Sequence, residues 1–469
     1  MLTKSKYIQG LQCPRLMWAS NKKLLPEITI ADEVKFSHGY IFEDYAKSLF
    51  KGTQPSQKFK DNIEETQELI KQHKTIFEGA FVKDDLYARV DILEYNNGWN
   101  LYEVKSSNDV KDVHLHDLAF QKHVLNVPIN KFYVIHLNKE FVKNGPIDPK
   151  QLCQIDDVTE QVNAINVEDN IIKFRQILEQ KTIPEIIISK GCNGPYECPL
   201  KKDCWGTLPK YNVLQLKNHH VYWKLFQKGI VKIEDVQEEL KEKDEIIKQA
   251  VVTQKAYLDK EKVKQFLDTL KYPLYHFDFE TFMTAVPIYD NSKPWQQIPF
   301  QYSLHIEKKE GSLEHKEFLA DGKEDPRIKL LKQLKDDLKG EGSIIVYNKS
   351  FEITRLKEMA RDFPKHQEWI EQVLPRIVDL AEPFKNFHYY HPEQQGKYSI
   401  KVVLPILTDL SYKDLEINEG GTASAEYYLN YIANNYGNEE LRNNLLKYCC
   451  LDTKAMIDLT KKLFTLVER

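Results

Sequence analysis

The sequence predicts an α/β chain divided into several domains, and three observations support this class. Strand-like apolar runs occur in both halves, as in LYARVDILEY (86–95) and YPLYHFDFE (272–280). Stretches with helical spacing separate them, as in VHLHDLAFQKHVLN (113–126). The 469 residues are enough for about three domains. We therefore expect a domain over residues 1–210, a helical connector over 211–268 and a strand-led domain over 269–469.

Composition limits the classes of function. Hydrophobic residues make up 42% and charged residues 29% of the chain, which is ordinary for globular proteins. A formal net charge of −4 gives no general attraction to nucleic acid, so such binding would need local basic patches or metal ions. No run approaches the roughly 18 apolar residues of a membrane span, and the N-terminus lacks a secretion-signal pattern. We expect a cytoplasmic protein with no membrane partner.

The first segment alternates helices with short strands. FSHGYIFEDYAKSLF (36–50) has helical spacing, with Phe36 and Tyr40 among its apolar positions. LYARVDILEY and WNLYEVKSS (99–107) are separated by Asn-Asn-Gly, which predicts a hairpin. A helix over 113–126 and a strand at KFYVIHLN (131–138) follow.

This hairpin carries a carboxylate and lysine pattern. Asp91 lies on its first strand, and Glu103 and Lys105 share one face of its second strand. Two carboxylates can bind a metal ion, while an ammonium group stabilises phosphate charge or orients a water nucleophile. A surface ion pair across the strands is the alternative interpretation.

With Glu43 upstream, four residues after Gly39, and Gln121 downstream, the pattern resembles the PD-(D/E)XK nucleases of the RecB family. The resemblance implies a restriction-endonuclease-like domain. Many relatives have His at the position of Glu43 and Tyr at that of Leu125. The roles that the resemblance implies are metal ligation by Glu43, Asp91 and Glu103, catalysis by Lys105 and substrate contact by Gln121.

Four of the seven cysteines suggest a metal or cluster site. Cys13 lies near the N-terminus, and GCNGPYECPLKKDCW (191–205) supplies Cys192, Cys198 and Cys204 in a loop rich in Gly and Pro. Four thiolates suit either a 4Fe–4S cluster or a tetrahedral zinc ion. The arrangement resembles a RecB-family subgroup, including AddB-type helicase–nuclease subunits, and this resemblance favours the cluster. The other cysteines are interpreted as small buried hydrophobic residues: Cys153, Cys449 and Cys450.

The last segment opens with YHFDFET (275–281), where Asp278 and Glu280 point to the same face of a strand. Two adjacent carboxylates repel each other unless a cation compensates them. A solvated strand edge is the alternative interpretation. WQQIPFQYSLHI (295–306) predicts the next strand, in which Gln301 is either a nucleotide contact or an ordinary core residue.

Two later motifs support the metal interpretation. IIVYNKSFE (344–352) is a buried strand followed by Asn348 and Glu352. YCCLD (448–452) places Tyr448 and Asp452 on one face of a helix. A core helix rarely buries an aspartate, and it buries a tyrosine hydroxyl only with a partner.

Together these motifs resemble the DnaQ-like, DEDD-type 3′–5′ exonucleases of the ribonuclease H-like fold, in their tyrosine-bearing subgroup. The second motif of that family usually ends in Asp, where this chain has Glu352. The resemblance implies two Mg²⁺ or Mn²⁺ ions, an attacking water oriented by Tyr448 and a substrate contact from Asn348. The implied metal ligands are Asp278, Glu280, Glu352 and Asp452.

The chain as a whole resembles a bacterial family of unknown function that joins an iron–sulfur RecB-like half to a DnaQ-like half. We therefore expect a metal-dependent nuclease, in first place a 3′–5′ exonuclease on single-stranded DNA with a second PD-(D/E)XK site. An RNA-processing exonuclease and a non-catalytic nucleic-acid-binding protein with degenerate sites are the alternatives.

Overall fold

The computed structural model describes residues 1–468 and divides them into two units. The first unit contains Met1–Thr207 and Thr284–Gln296. The second contains Leu208–Met283 and residues 297–468. Both combine helices with a mixed sheet, which confirms the predicted α/β multidomain class. Residues 211–268, predicted as a separate connector, belong to the second unit.

The first unit is built on a six-stranded sheet in the order β1-β3-β4-β5-β6, with β2 also paired to β3. Strand β3 is antiparallel to β2 and β4, whereas β4 and β5 are parallel. Its strands are β1 (Leu2–Thr3), β2 (Ile76–Lys83), β3 (Leu86–Tyr95), β4 (Trp99–Lys105), β5 (Ile129–Leu137) and β6 (Cys153–Asp157). Its helices are α1 (Lys4–Gln12), α2 (Pro14–Asn21), α3 (Ile30–Lys47), α4 (Phe59–Lys71), α5 (Asp112–Val124), α6 (Pro149–Leu152), α7 (Thr159–Asn163), α8 (Glu168–Glu179) and α9 (Lys201–Trp205).

The predicted hairpin is confirmed as β3 and β4. Asn97 and Gly98 both have positive φ, at 54° and 132°, as a tight turn between twisted strands requires. Helix α3 is also confirmed, but its buried stripe is Val34, His38, Phe42 and Ala46. Phe36 and Tyr40 are 52% and 69% exposed. The helical spacing was therefore predicted correctly, while two of the apolar residues that showed it, Phe36 and Tyr40, point to solvent.

Residues 284–296 belong to the first unit although they follow the first strand of the second. Ala285 and Val286 join the apolar cluster that contains Phe42. The indole Nε1 of Trp295 donates a hydrogen bond to the Ser106 carbonyl oxygen at 2.6 Å. These apolar side chains are buried by the first unit, which the sequence order alone does not indicate.

The second unit has a five-stranded sheet in the order β10-β9-β8-β11-β12. Strand β9 is antiparallel to β8 and β10, whereas β11 is parallel to β8 and β12. Its strands are β7 (Tyr257–Leu258), β8 (Leu274–Phe282), β9 (Ile298–Glu307), β10 (Leu313–Leu319), β11 (Ile344–Val346), β12 (Ile377–Asp379) and β13 (Tyr389–Tyr390). Its helices are α10 (His219–Gln227), α11 (Glu242–Thr253), α12 (Lys260–Leu267), α13 (Pro326–Asp337), α14 (Ser350–Asp362), α15 (Gln367–Val373), α16 (Glu382–Lys385), α17 (Ile400–Leu407), α18 (Gly420–Tyr427) and α19 (Glu439–Glu468).

The two faces of this second sheet differ in chemistry. One face buries Phe277, Phe279 and Tyr302 in a core shared with Leu334 of α13 and Leu356 of α14. The other face carries polar side chains at the alternate positions of β8, β9 and β10, and α19 packs on β8 and β9. The long closing helix therefore covers a polar face.

None of the helices formed by residues 1–468 combines the length and the apolar character that crossing a membrane requires.

Candidate functional sites

Three elements of the second unit bring four carboxylates together. Asp278 and Glu280 lie on β8, Glu352 lies in the first turn of α14, and Asp452 lies on α19. Strand β11 runs parallel to β8, so the helix that follows β11 begins beside the second half of β8. Glu280, Glu352 and Asp452 are all less than 10% exposed, and Asp278 is half-buried.

The turn between β11 and α14 places Glu352. Asn348 adopts a positive φ of 78°, and its backbone N–H donates to Oδ1 of Asp379 at 2.8 Å. Ala381 N–H donates to the same oxygen at 3.0 Å. Asn348 Oδ1 accepts a hydrogen bond from the Ser350 hydroxyl at 3.2 Å. In this structure Asn348 shapes the turn, and its predicted substrate contact stays a prediction.

Burial and mutual repulsion dominate the electrostatics of this cluster. Burial, with the charge of Asp452 next in size, raises the pKa of both Asp278 and Glu280 well above the ordinary range. Burial raises the pKa of Glu352 to about 8 and that of Asp452 to about 6. Four carboxylates that resist ionisation in one place form a site that a divalent cation would stabilise.

Tyr448 lies against this cluster as predicted, and two further residues accompany it. The Lys401 ammonium donates a hydrogen bond to Tyr448 Oη at 3.1 Å and lies 5.0 Å from the centre of its ring. Tyr412 Oη donates to Asp452 Oδ1 at 2.6 Å. Burial and the neighbouring carboxylates raise the pKa of Tyr448, which keeps it a neutral phenol.

Lys401 and Tyr412 were not predicted from the sequence. Lys401 is the second residue of the apolar helix α17, where a single lysine in IKVVLPIL was the only available signal. Tyr412 lies between α17 and α18 and had none.

Gly420 of α18 and Cys449 of α19 both lie beside the cluster. A Cβ atom on Gly420 would lie 3.7 Å from both Glu280 Oε2 and Tyr448 Oη. Cys449 is fully buried as predicted, and its Sγ lies 4.0 Å from Asp278 Oδ2. An alanine at position 420 would therefore make ordinary van der Waals contacts with the site.

Gln301 lies in the core of the second unit, and its predicted nucleotide contact stays a prediction. It is 1% exposed, and its Nε2 donates to the Leu445 carbonyl oxygen at 2.8 Å. The ordinary core interpretation of this strand position agrees with the structure, in which Gln301 ties β9 to α19.

The first unit gathers its predicted residues around Glu103. Gln121 Nε2 donates to Glu103 Oε2 at 2.5 Å, and the Lys105 ammonium donates to Glu103 Oε1. Asp91 Oδ2 accepts from the Val104 backbone N–H at 2.7 Å. Glu103 and Gln121 are both 0% exposed. Gln121 thus orients a carboxylate from within the core.

Two residues of this first site were missed. Lys4 Nζ of α1 lies 3.1 Å from Glu103 Oε1 and 3.5 Å from Asp91 Oδ1. Asp117 Oδ2 of α5 lies 3.2 Å from Lys105 Nζ. Asp117 lies four residues before Gln121, and this shared helix face was a usable signal. Lys4 is 99 residues from Glu103, and no local pattern indicates it.

Charge compensation distinguishes this site from the one in the second unit. Burial acts to raise the pKa of Glu103, but the ammonium groups of Lys105 and Lys4 outweigh it and hold that pKa below its ordinary value. Burial and the charge of Glu103 raise the pKa of Asp91 to about 6. Glu103 is therefore the ionised centre of the group.

Glu43 approaches the same site from α3. Its Oε1 lies 2.8 Å from Lys47 Nζ, which also lies 2.8 Å from Glu78 Oε1. Burial, a hydrogen bond with Glu78 and the charge of Asp91 raise the pKa of Glu43 to about 8. Glu43 is therefore electrostatically linked to the predicted ligand set.

Lys4→Met should lower the Tm of the metal-free protein by roughly 4–8 °C, because losing one partner of a largely buried charge group costs about 2 kcal/mol here. Added Mn²⁺ should then raise the Tm of the variant more than that of wild type, since an ion can replace the lost positive charge. Thermal unfolding with and without Mn²⁺ measures both effects.

Lys60→Met, which removes an exposed lysine of α4, is the control and should leave Tm unchanged. An unchanged Tm in Lys4→Met would contradict the assigned role of the ammonium group.

The four predicted cluster cysteines come together in the first unit. Cys13 precedes α2, Cys192 and Cys198 are each 7% exposed, and Cys204 lies on α9. Burial raises the pKa of the Cys198 thiol, and the other three sulfurs add to this effect.

Side-chain hydrogen bonds join the two segments that carry these cysteines. Gln12 Nε2 donates to the carbonyl oxygens of Gly191 and Tyr196, at 2.9 and 2.7 Å. Arg15 Nη1 donates to the Pro184 carbonyl oxygen at 2.7 Å. The N-terminal helices are thus fastened to the segment that carries the last three cysteines.

Comparison with known proteins identifies similarity without a described activity. A family model described as a domain of unknown function (DUF2779) matches residues 275–399. This region contains Asp278, Glu280 and Glu352 and ends before the helix that carries Tyr448 and Asp452.

Three uncharacterized bacterial proteins are similar to parts of the chain. One from Mycoplasma genitalium is 29% identical over 239 residues, 46% of this chain and 36% of its own length. One from Ureaplasma parvum is 33% identical over 215 residues, which are 40% of this chain and 31% of the relative's length. A Mycoplasma pneumoniae protein is 31% identical over 221 residues, which are 42% of this chain and 33% of that protein's length. The chain therefore spans about a third of the length of these relatives.

Proposed function

We propose that this protein is a metal-dependent nuclease whose principal site is a 3′–5′ exonuclease acting on single-stranded DNA. The observation that carries the proposal is the convergence of Asp278, Glu280, Glu352 and Asp452 beside Tyr448. Burial raises the pKa of each carboxylate, and repulsion within the group adds to this for Asp278 and Glu280, so the group favours divalent cations.

The topology of the second unit supports the ribonuclease H-like assignment. Three antiparallel strands, β10, β9 and β8, are followed by two strands parallel to β8. The first acidic pair lies on the central strand, and the last acid lies on the closing helix. This is the arrangement that the motif resemblance implies.

The residues present fit the implied ions. Oxygen ligands are what Mg²⁺ and Mn²⁺ prefer, and the four carboxylates are the residues that would hold them. When bound, such ions supply charge stabilisation to a phosphodiester undergoing in-line displacement. Tyr448 supplies a neutral hydroxyl for orienting water, and Tyr412 fixes Asp452 through its 2.6 Å hydrogen bond. Lys401 adds the positive charge nearest to Tyr448.

For the first unit we propose a second nuclease site of the PD-(D/E)XK type. Asp91 and Glu103 are its proposed metal ligands, with Glu43 as a third, and Lys105 is its proposed catalytic lysine. The order of strands β2 to β4, helix α5 and strand β5 supports the restriction-endonuclease-like assignment. Asp117 adds a carboxylate that the motif did not predict.

One observation favours a second candidate for this unit. The Lys4 ammonium lies 3.1 Å from Glu103 and supplies the positive charge that a metal ion would bring. That compensation favours a first unit without a bound metal ion, which fits the alternative of a non-catalytic nucleic-acid-binding role. Whether the substrate is RNA or DNA is decided by comparing the cleavage of the two.

The proposal is tested by cleavage of end-labelled single-stranded DNA and RNA with Mg²⁺ or Mn²⁺. Wild type is compared with Asp278→Ala, Lys105→Ala and the double variant, all purified without air. We expect a ladder from the 3′ end that Asp278→Ala abolishes. Loss of a separate cleavage product in Lys105→Ala would identify activity of the first unit.

Intact substrates with wild type would overturn the nuclease proposal and favour the binding-protein alternative. Faster cleavage of RNA would favour the RNA-processing alternative. A ladder that persists in Asp278→Ala would exclude the second unit as its source.

We also propose that Cys13, Cys192, Cys198 and Cys204 hold a 4Fe–4S cluster, with zinc as the alternative. Protein purified without air should contain iron and sulfide and absorb broadly in the visible range, and Cys198→Ser should lose both properties. Cys153→Ser, a buried cysteine in β6 of the same unit, is the control and should retain them. A zinc ion lost from Cys198→Ser, without iron in wild type, would favour the zinc alternative.

A further inference from the structure

The proposed exonuclease site does not use a second group of ligand-type side chains in the same unit. His305 lies on β9, His315 on β10 and Cys450 on α19. One ligand atom from each lies within 4.8 Å of the other two. Their residue types differ from those of the carboxylate cluster and indicate a different ion.

The strands position the two histidines as a pair. His305 and His315 are directly opposite each other in the antiparallel register of β9 and β10. Their rings stack with centroids 4.3 Å apart and planes 25° apart. His305 is 6% exposed, whereas the side chain of His315 is 29% exposed. An ion in solvent can therefore reach the pair at His315, while His305 lies in the core.

Two hydroxyl groups hold one nitrogen of each ring. Thr453 Oγ1 lies 2.8 Å from His305 Nδ1, and Ser303 Oγ lies 3.0 Å from His315 Nε2. The two hydroxyl groups are 2.7 Å apart, and both residues are buried. Metal-bound histidines in proteins are oriented in this way, by a hydrogen bond at the nitrogen that does not bind the ion. The other nitrogen of each ring would bind the ion, and the partly exposed His315 ring would turn out of the stack to direct its lone pair at it.

Glu317 is the candidate for a fourth donor. It lies two residues after His315, on the same face of β10. Its Oε2 lies 4.0 Å from His315 Nε2, the nitrogen that Ser303 holds, so the exposed carboxylate would turn toward the other nitrogen to share an ion with this ring. Burial raises the pKa of the Cys450 thiol, and the charge of Glu317 adds to this effect.

We propose that His305, His315, Cys450 and Glu317 bind one Zn²⁺ ion. Two imidazoles, one thiolate and one carboxylate match the ligand types and the ligand number of tetrahedral zinc. Mg²⁺ prefers oxygen ligands and is not expected here. Binding deprotonates the Cys450 thiol, and the proton is released to solvent as the zinc–sulfur bond forms.

The ion would fasten α19 to the outer strands of the sheet. Cys450 lies between Tyr448 and Asp452 along that helix, and its neighbour Cys449 faces Asp278 on β8. Zinc would thus hold the helix that presents two residues of the proposed exonuclease site. The zinc site itself does not depend on nuclease activity.

The test is zinc uptake by the full chain, measured by metal analysis after equilibrium dialysis against Zn²⁺ alone. The first-unit cysteines can also take zinc, so the readout is the difference between variants. His315→Ala and Cys450→Ala should each contain one zinc ion fewer per chain than wild type. His220→Ala, which removes an exposed histidine of α10, should contain the wild-type amount.

A milder variant separates ligand loss from misfolding. Thr453→Val keeps the shape of a buried residue and removes the hydroxyl bonded to His305. Its zinc affinity at this site should fall about 10–100-fold while its circular dichroism stays that of wild type. Equal zinc content and affinity in wild type, His315→Ala and Cys450→Ala would overturn the proposal. So would complete loss of zinc binding in Cys198→Ser.

Discussion

Asp452→Asn should reduce 3′-end trimming of single-stranded DNA by at least about a thousandfold, because the variant loses charge stabilisation as well as a metal ligand. Asparagine keeps the size of the side chain and can still accept the hydrogen bond from Tyr412. The fold should therefore survive while the negative charge disappears. Rates on end-labelled substrate at saturating Mn²⁺ measure the effect.

Asp458→Asn is the matched control, since it makes the same chemical change six residues further along α19. It should retain the wild-type rate within about twofold, as substitutions away from special features usually do. The trimming rate of Tyr412→Phe should lie between those of Asp452→Asn and Asp458→Asn. We expect it to be about 10–100-fold slower than wild type, because this variant removes only the partner that orients Asp452. Wild-type activity in Asp452→Asn would exclude the carboxylate cluster as the reaction centre.

Residues linked by a local period were predicted from the sequence. Asp278 and Glu280 share a strand face, and Tyr448 and Asp452 share a helix face, so spacing alone relates the members of each pair. Glu352 was predicted because it follows a buried strand. The structure brings these five residues together without revising any of them.

Residues that reach a site across long sequence separations were not predicted. Lys4, Lys401 and Tyr412 each come from an element with no spacing relationship to the site they join. The assignment of residues 284–296 to the first unit was missed for the same reason. Gln301 illustrates the opposite difficulty, because a polar residue in a strand can hydrogen-bond a neighbouring helix and need not mark a binding site.

The two candidate sites differ in how their negative charge is balanced. In the first unit, Lys4 and Lys105 both lie against Glu103. In the second, Lys401 is the ammonium group that acts on Asp278, Glu280 and Asp452. The carboxylates of the second unit therefore have the greater need of added cations, and their ionisation should oppose folding when no ion is bound.

The free energy of unfolding of the metal-free protein should consequently fall as pH rises from about 6.5 to about 8.5. Glu352 has an ordinary pKa of 4.5 and a folded-state pKa of about 8, so between these values the folded state binds more protons than the unfolded state. Stability then decreases with rising pH. Since one pKa unit corresponds to about 1.4 kcal/mol, Tm should fall by roughly 5–10 °C across this range.

Glu352→Gln isolates this effect, because glutamine has no proton to lose. The variant should be more stable than metal-free wild type at pH 8.5, and the difference should shrink toward pH 5, where Glu352 is protonated in the folded state. Buried histidines such as His114 and His305, whose pKa values burial lowers to about 4, act in the opposite direction below pH 6.5 and cancel in the comparison. Saturating Mn²⁺ should remove most of the pH dependence of wild type, since bound ions favour the ionised carboxylates. A Tm difference between wild type and Glu352→Gln that does not change with pH would show that Glu352 ionises in the folded protein as it does in water.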